Sequence, residues 1–277
     1  MARDLALPAI EGAMHNLLGV LADEDGDVLQ AATAYREALA CHRACGNRGD
    51  EADVLSNLGY TELGLGDFDA ANRHFAQALE IFVALGRRDR VGLVEINLAL
   101  AALNAGDATA ALAQALQARR TLQDTGSRWA DAAAQRLAGQ ARLALAQAAE
   151  AAVDLAAAAR AFDELGLPYL ATEARASEAW ARWCAGEGPA ALAAARALAP
   201  ALAEGSALEG AEDPLRALHD LWCVLAATDD AFAGPVLQAA QQRLQQRAAR
   251  LPEVPRKRWL QAAAPHLRVL AATVSWR

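Results

Sequence analysis

The sequence predicts an all-α solenoid, a stack of antiparallel helix pairs, and three observations carry that prediction. Glycine returns at Gly46, Gly86, Gly126 and Gly166, and again at Gly26, Gly66, Gly106 and Gly186, so a unit of about 40 residues is copied along the 277-residue chain. Columns at that step admit only small residues: Gly19, Gly59, Ala99, Gly139 and Ala179 in one, Ala31, Ala71, Ala111, Ala151 and Ala191 in another. Ala and Leu dominate while β-branched residues are few, so helix propensity agrees with the pattern. Fixed small residues let helices approach closely, and a large column of Phe82, Leu122 and Phe162, with His42 in the first copy, fills the space between them.

In chain order, the first copy begins near residue 8, and its first helix runs into Asp23, Glu24, Asp25 and Asp27. That acidic run reads as a helix end and cap, since it lacks the alternating oxygen ligands of a calcium loop. In the second copy Val54, Leu55, Leu58 and Leu63 give residues 51–65 a helical period, which Gly66 ends. Asp67 is placed to cap the next helix, with Phe68, Ala71, Phe75, Ala78, Leu79 and Phe82 on its buried side and Gly86 after it. The third copy repeats this around Gly106. The fourth replaces the Gly-Asp junction with Ala146-Gln147, and the fifth puts Leu198 in a column of alanines, so the pattern weakens toward residue 205. Residues 1–205 are therefore five tandem repeats. Beyond them Gly205, Gly210 and Pro214 mark a loop, and residues 215–227 and 231–250 read as a sixth helix pair. Pro252 and Pro255 precede a last helical segment that bends or breaks at Pro265. Residues 206–277 are thus the final pair and a cap, continuous with the array, because a solenoid must cover its apolar end.

The string Asn57-Leu58-Gly59, then Gly66-Asp67, Ala71, Phe75 and Ala78-Leu79 resembles the tetratricopeptide repeat. That resemblance implies a right-handed superhelix whose first helices line a concave groove for proteins or peptides. The 40-residue period, longer than the family's usual 34, with Gly46-Asn47 and Gly86-Arg87 junctions, resembles a variant in the C-terminal sensor regions of bacterial regulators. Those include ATPase-containing transcriptional activators of the maltose-activator and LuxR-like type, and nucleotide cyclases. The segment Arg256 to Ala272 looks like the end of such regions. The function so implied is that of a sensor or interaction domain of a signalling or transcriptional regulator, whose partner is a protein or peptide or another domain of that regulator. A free-standing adaptor or peptide receptor and a homo-oligomerisation module remain as alternatives.

Transferred by register, the groove columns are Ser56, Ile96, Arg136 and Ala176; Asn57, Asn97, Leu137 and Ser177; and Tyr60, Leu100, Gln140 and Trp180. Columns that vary while packing columns stay fixed are where specificity can reside. An asparagine amide donates and accepts, so Asn57 and Asn97 suit the peptide unit of an extended chain; the alternative is a bond to the neighbouring repeat. Only Arg136 among these is basic, which disfavours capture of a terminal carboxylate. Trp180 and Trp183, three residues apart near Tyr169, could hold an apolar segment of a partner, or belong to the core.

Other classes find little support. Lys257 is the only lysine and has no glycine loop near it, which removes P-loop and Schiff-base chemistry; no enzyme activity and no cofactor are expected. Cys41, His42 and Cys45 fall in the columns of Ile81, Phe82 and Leu85, so they read as core and not as a metal site. Four cysteines without framework spacing, no visible signal peptide and no long apolar run suggest a cytoplasmic protein that does not enter the membrane. The net charge of −8 is uneven, with eight basic residues and one acid, Glu253, from Ala231 onward. Such a tail suits the acidic body of its own array, or else an acidic partner. No nucleic-acid-binding motif accompanies it, so no direct contact with nucleic acid is expected.

Overall fold

In the computed structural model the glycine ladder ends helices. The structure describes residues 2–204, 208–262, 270 and 273, and among these there are helices α1 to α13 and no strand. Helices α1 (Ala2–Glu24), α3 (Arg48–Gly64), α5 (Arg88–Ala105), α7 (Arg128–Ala144) and α9 (Pro168–Cys184) open the five repeats. Helices α2 (Val28–Cys45), α4 (Phe68–Ala84), α6 (Ala108–Leu122), α8 (Ala148–Glu164) and α10 (Gly188–Glu204) close them. Each helix packs on the next, giving a superhelix of antiparallel pairs.

The junctions show why. Gly66 sits at φ +75°, its N–H bonds Leu63 O, and the N–H of Asp67 bonds Glu62 O, the double bond that closes a helix through a left-handed residue. Asp27, Asp67 and Asp107 then accept from the N–H groups of Gln30, Ala70 and Ala110. The fourth copy keeps this geometry with the wrong residues. Ala146 adopts φ 60°, where a Cβ is strained, and Gln147 gives its helix no side-chain cap.

The small column works by close approach. A Cβ on Gly19 would stand 2.5 Å from Tyr35, one on Gly59 2.6 Å from Phe75, and one on Gly139 2.7 Å from Leu155. Where the first member is Ala99 or Ala179, the residue sixteen positions on is Ala115 or Ala195, and all four are buried. The two positions trade volume at fixed total, as a close-packed interior requires. His42 is buried in the column of Phe82, with Cys41 and Cys45 half-buried beside it. Among the described residues no group of His, Cys, Asp and Glu is arranged to hold a metal ion, and no helix is long and apolar enough to cross a membrane.

The sixth pair is α11 (Pro214–Ala226) and α12 (Ala233–Ala249), followed by α13 (Glu253–Ala262). Pro255 does not precede the last helix, as the sequence reading had it, but lies in its first turn, where the missing N–H costs nothing. The bend expected at Pro265 lies outside the described residues. The superhelix curls far enough for its ends to meet: Leu65, after α3, is buried in one apolar cluster with Leu215, Leu244 and Leu251. Arg247 donates to Gly64 O at 3.2 Å and Arg250 to Asp25 O at 3.4 Å. These two arginines of the basic segment therefore sit on carbonyls at the ends of N-terminal helices, where the helix dipole favours a cation.

Candidate functional site

The first helices of the second and third repeats present Ser56, Asn57, Ile96 and Asn97 to one pocket of about 210 Å³. Asp53, Arg90 and Trp129 complete its polar and aromatic wall. Residues 53, 56, 57 and 60 follow one another at i, i+3, i+4 and i+7, so one helix face delivers them to the inner side of the superhelix. Asn57 Nδ2 donates to Asn16 Oδ1 at 3.1 Å, and Asn97 Nδ2 donates to Ser56 Oγ at 3.4 Å. Each asparagine thus uses one N–H to bond the preceding repeat. An amide has a second N–H and a carbonyl oxygen, so this bond aims the group without exhausting it.

Charge at the pocket's edge is balanced. Arg90 Nη1 lies 3.5 Å from Asp53 Oδ1. Burial pushes the Asp53 carboxyl above its ordinary range, and Arg90 pulls it back only in part. Arg90 Nε is buried without a hydrogen-bond partner, with Asp89 Oδ2 3.9 Å away.

Farther along the groove the expected residues meet a different environment. Tyr60 and Leu100 lie one turn beyond the asparagines. Tyr60 is 44% exposed, yet the curled array surrounds it, and burial, with help from Glu212, pushes its phenol up to about 12. Arg136 is fully buried: Nη1 donates to Glu173 Oε1 at 2.6 Å and Nη2 pairs with Glu212. Glu173 also accepts the backbone N–H groups of Glu212 and Asp213 at 3.0 and 3.2 Å. Its carboxyl is pushed up to about 7 by burial, which outweighs Arg136. Ser177 Oγ donates to Asp220 Oδ2 at 2.6 Å, out of solvent. Gln140 is buried one turn after Arg136, and neither atom of its amide has a hydrogen-bond partner. Trp180 and Trp183 are half-buried against the C-terminal apolar cluster.

Register reasoning missed Asp53, Arg90 and Trp129. Extending the Ser56, Asn57, Tyr60 face one turn back reaches Asp53, so that signal was present. Arg90 and Trp129 belong to the pocket through packing between repeats, and no column announces them.

Compared with known proteins, residues 10–82 match the family profile described as tetratricopeptide repeat, and that stretch is built of such repeats. No curated protein matches the chain significantly in sequence. Among solved structures the chain is similar to a Rap protein complexed with competence and sporulation factor. That match has 17% identity and a TM-score of 0.68, and covers 95% of this chain and 74% of that one. It is similar also to the apo form of RapI, at 14% identity and TM-score 0.68, over 86% of this chain and 85% of that one. A third is aspartyl phosphate phosphatase F from Bacillus subtilis, at 13% identity and TM-score 0.65, over 100% of this chain and 75% of that one. At these identities the shared property is the fold, a superhelix of helical repeats.

Proposed function

We propose that the chain is a binding scaffold that receives an extended segment of a peptide or protein across the N-terminal half of its concave groove. The observation that carries this reading is the pocket that gathers Ser56, Asn57, Ile96 and Asn97 between α3 and α5, with Trp129 at its rim. Its polar groups are two amides, a hydroxyl and the Asp53–Arg90 ion pair, a set that holds a ligand by hydrogen bonds. At a spacing of roughly 10 Å between neighbouring repeats, as the resemblance to tetratricopeptide repeats implies, about three extended residues at ~3.3 Å each would separate the peptide units that Asn57 and Asn97 hold. One similar structure is a complex with competence and sporulation factor, which supports a binding role for a superhelix of this fold. On this reading the chain is a non-catalytic sensor or interaction module of a bacterial signalling or transcriptional regulator.

Selection from a random peptide library, followed by affinity measurement against wild type and an Asn57→Ala, Asn97→Ala double variant, tests the reading. Loss of two paired amide contacts, each about 1 kcal/mol, predicts at least ~10-fold weaker binding. Equal affinity for both proteins would rule this groove out.

A further inference from the structure

Helix α1 packs on α2 and, at its edge, on α3, and leaves an apolar face in solvent. Leu7, Ile10, Met14, Leu17, Leu18 and Leu21 are exposed at 65, 58, 60, 59, 49 and 48%. At 100° per residue they fall within an arc of about 100°, and from Leu7 to Leu21 the stripe runs about 21 Å. Within residues 7–22 the only other ionisable groups are Glu11 and His15, on a protein of net charge −8.

Register shows what this face is. Met14 belongs to the column of Val54, Val94, Ala134 and Ala174, and Leu21 to that of Thr61, Ala101, Ala141 and Ala181. Every later member of both columns is buried. The first copy thus exposes the stacking face of the repeat. It also enlarges it relative to the next two copies: where these have Asn47, Asp50 and Asn57, or Arg87, Arg90 and Asn97, α1 has Leu7, Ile10 and Leu17. A helix face that only met water would be more polar than its counterparts there, whereas that of α1 is less polar.

We propose that α1 is a self-association surface on which a second copy of this chain packs its own α1. Six side chains about half exposed offer on the order of 600 Å² on each copy, at the upper end of what a monomer ordinarily leaves in one patch, hence about 1,200 Å² in all, the lower bound for a specific stable interface. The contact proposed is isologous, because among the described residues the opposite end of the array is covered by α12 and α13, with Leu251 and Trp259 buried. A membrane is the poorer occupant, since beyond Leu7 the charged side chains of α1 (Glu11, Asp23 and Glu24) are acidic, where an interfacial helix carries Lys and Arg.

The test is sedimentation equilibrium of the full chain across a hundredfold range of concentration. Wild type is expected at twice the 29.1 kDa of one chain. A Met14→Glu, Leu17→Glu variant is expected at 29.1 kDa with unchanged helical circular dichroism, because both side chains stand in solvent in the single chain. A two-fold axis through the middle of the stripe brings Met14 against its own copy, so Met14→Cys should form an intermolecular disulfide under mild oxidation. Val83→Cys, exposed but off the stripe, should not. A wild type that stays monomeric at high concentration overturns the proposal, with or without binding to anionic vesicles. So does a charged variant that still dimerises.

Discussion

Between α3 and α5 the inner columns of the repeat carry Ser56, Asn57 and Asn97, half-exposed and gathered at an open pocket. Between α7 and α11 the same columns carry Arg136 and Ser177, buried and bonded to Glu173, Glu212 and Asp220. Asp53 and Glu173 share one column and make the point most sharply. Both are carboxylates raised by burial and both face an arginine, yet Asp53 lies at the edge of a cavity while Glu173 is sealed under the N-terminus of α11. The repeat builds the same inner face twice. What decides its use is whether another element covers it, and only the C-terminal half has α11.

The largest expected effect follows from that contrast. Arg136→Met leaves Glu173 buried without its partner and should cost ~3–5 kcal/mol in urea unfolding. Arg90→Met breaks a pair that is more than a third exposed, and should cost ~1 kcal/mol or less. Equal costs would erase the distinction between the halves.

Glu173 sharpens it through pH. Its carboxyl titrates near 7 in the folded chain against 4.5 unfolded, so its favourable contribution is complete below pH 4.5 and is lost as pH rises to 7. Between those values wild type should lose ~2–3 kcal/mol relative to Glu173→Gln. Parallel pH profiles of the two proteins in chemical denaturation would contradict this.

The stacking faces, in contrast, should respond alike. Gly59→Ala drives a methyl against Phe75 in one half and Gly139→Ala against Leu155 in the other, each costing ~1–3 kcal/mol. Adding Phe75→Leu should recover part of the loss in the first case. Smaller still, Ala146→Gly relieves the one left-handed alanine of the ladder and should raise stability by ~1 kcal/mol, while Gly66→Ala should lower it by about as much, read as melting temperatures.

Much of the scaffold was legible in the sequence because a repeat repeats its physics. The ladder marked the left-handed residues, Asp67 and its counterparts marked the caps, and the Gly19 and Ala31 columns marked the close approaches. The groove was legible only where nothing lies over it. Register placed Ser56, Asn57, Ile96 and Asn97 in one column set, and packing brings them to one pocket. For Arg136 and Ser177 the same register held, but Glu212 and Asp220, which pair with them, come from residues outside the repeat phase. Trp180 and Trp183 went the same way, into the apolar cluster that Leu65 shares with the C-terminal helices. Register carries no record of how far a superhelix curls.

Hydrogen exchange of the chain with and without a peptide selected for binding tests the division of the groove most directly. The account predicts new protection in α3, α5 and the first turn of α7, around Asn57, Asn97 and Trp129, with α9 and α11 already slow and unchanged. Protection that appears instead across α9 and α11, with α3 and α5 unaffected, would show that the sealed half opens to take the ligand, and would contradict it.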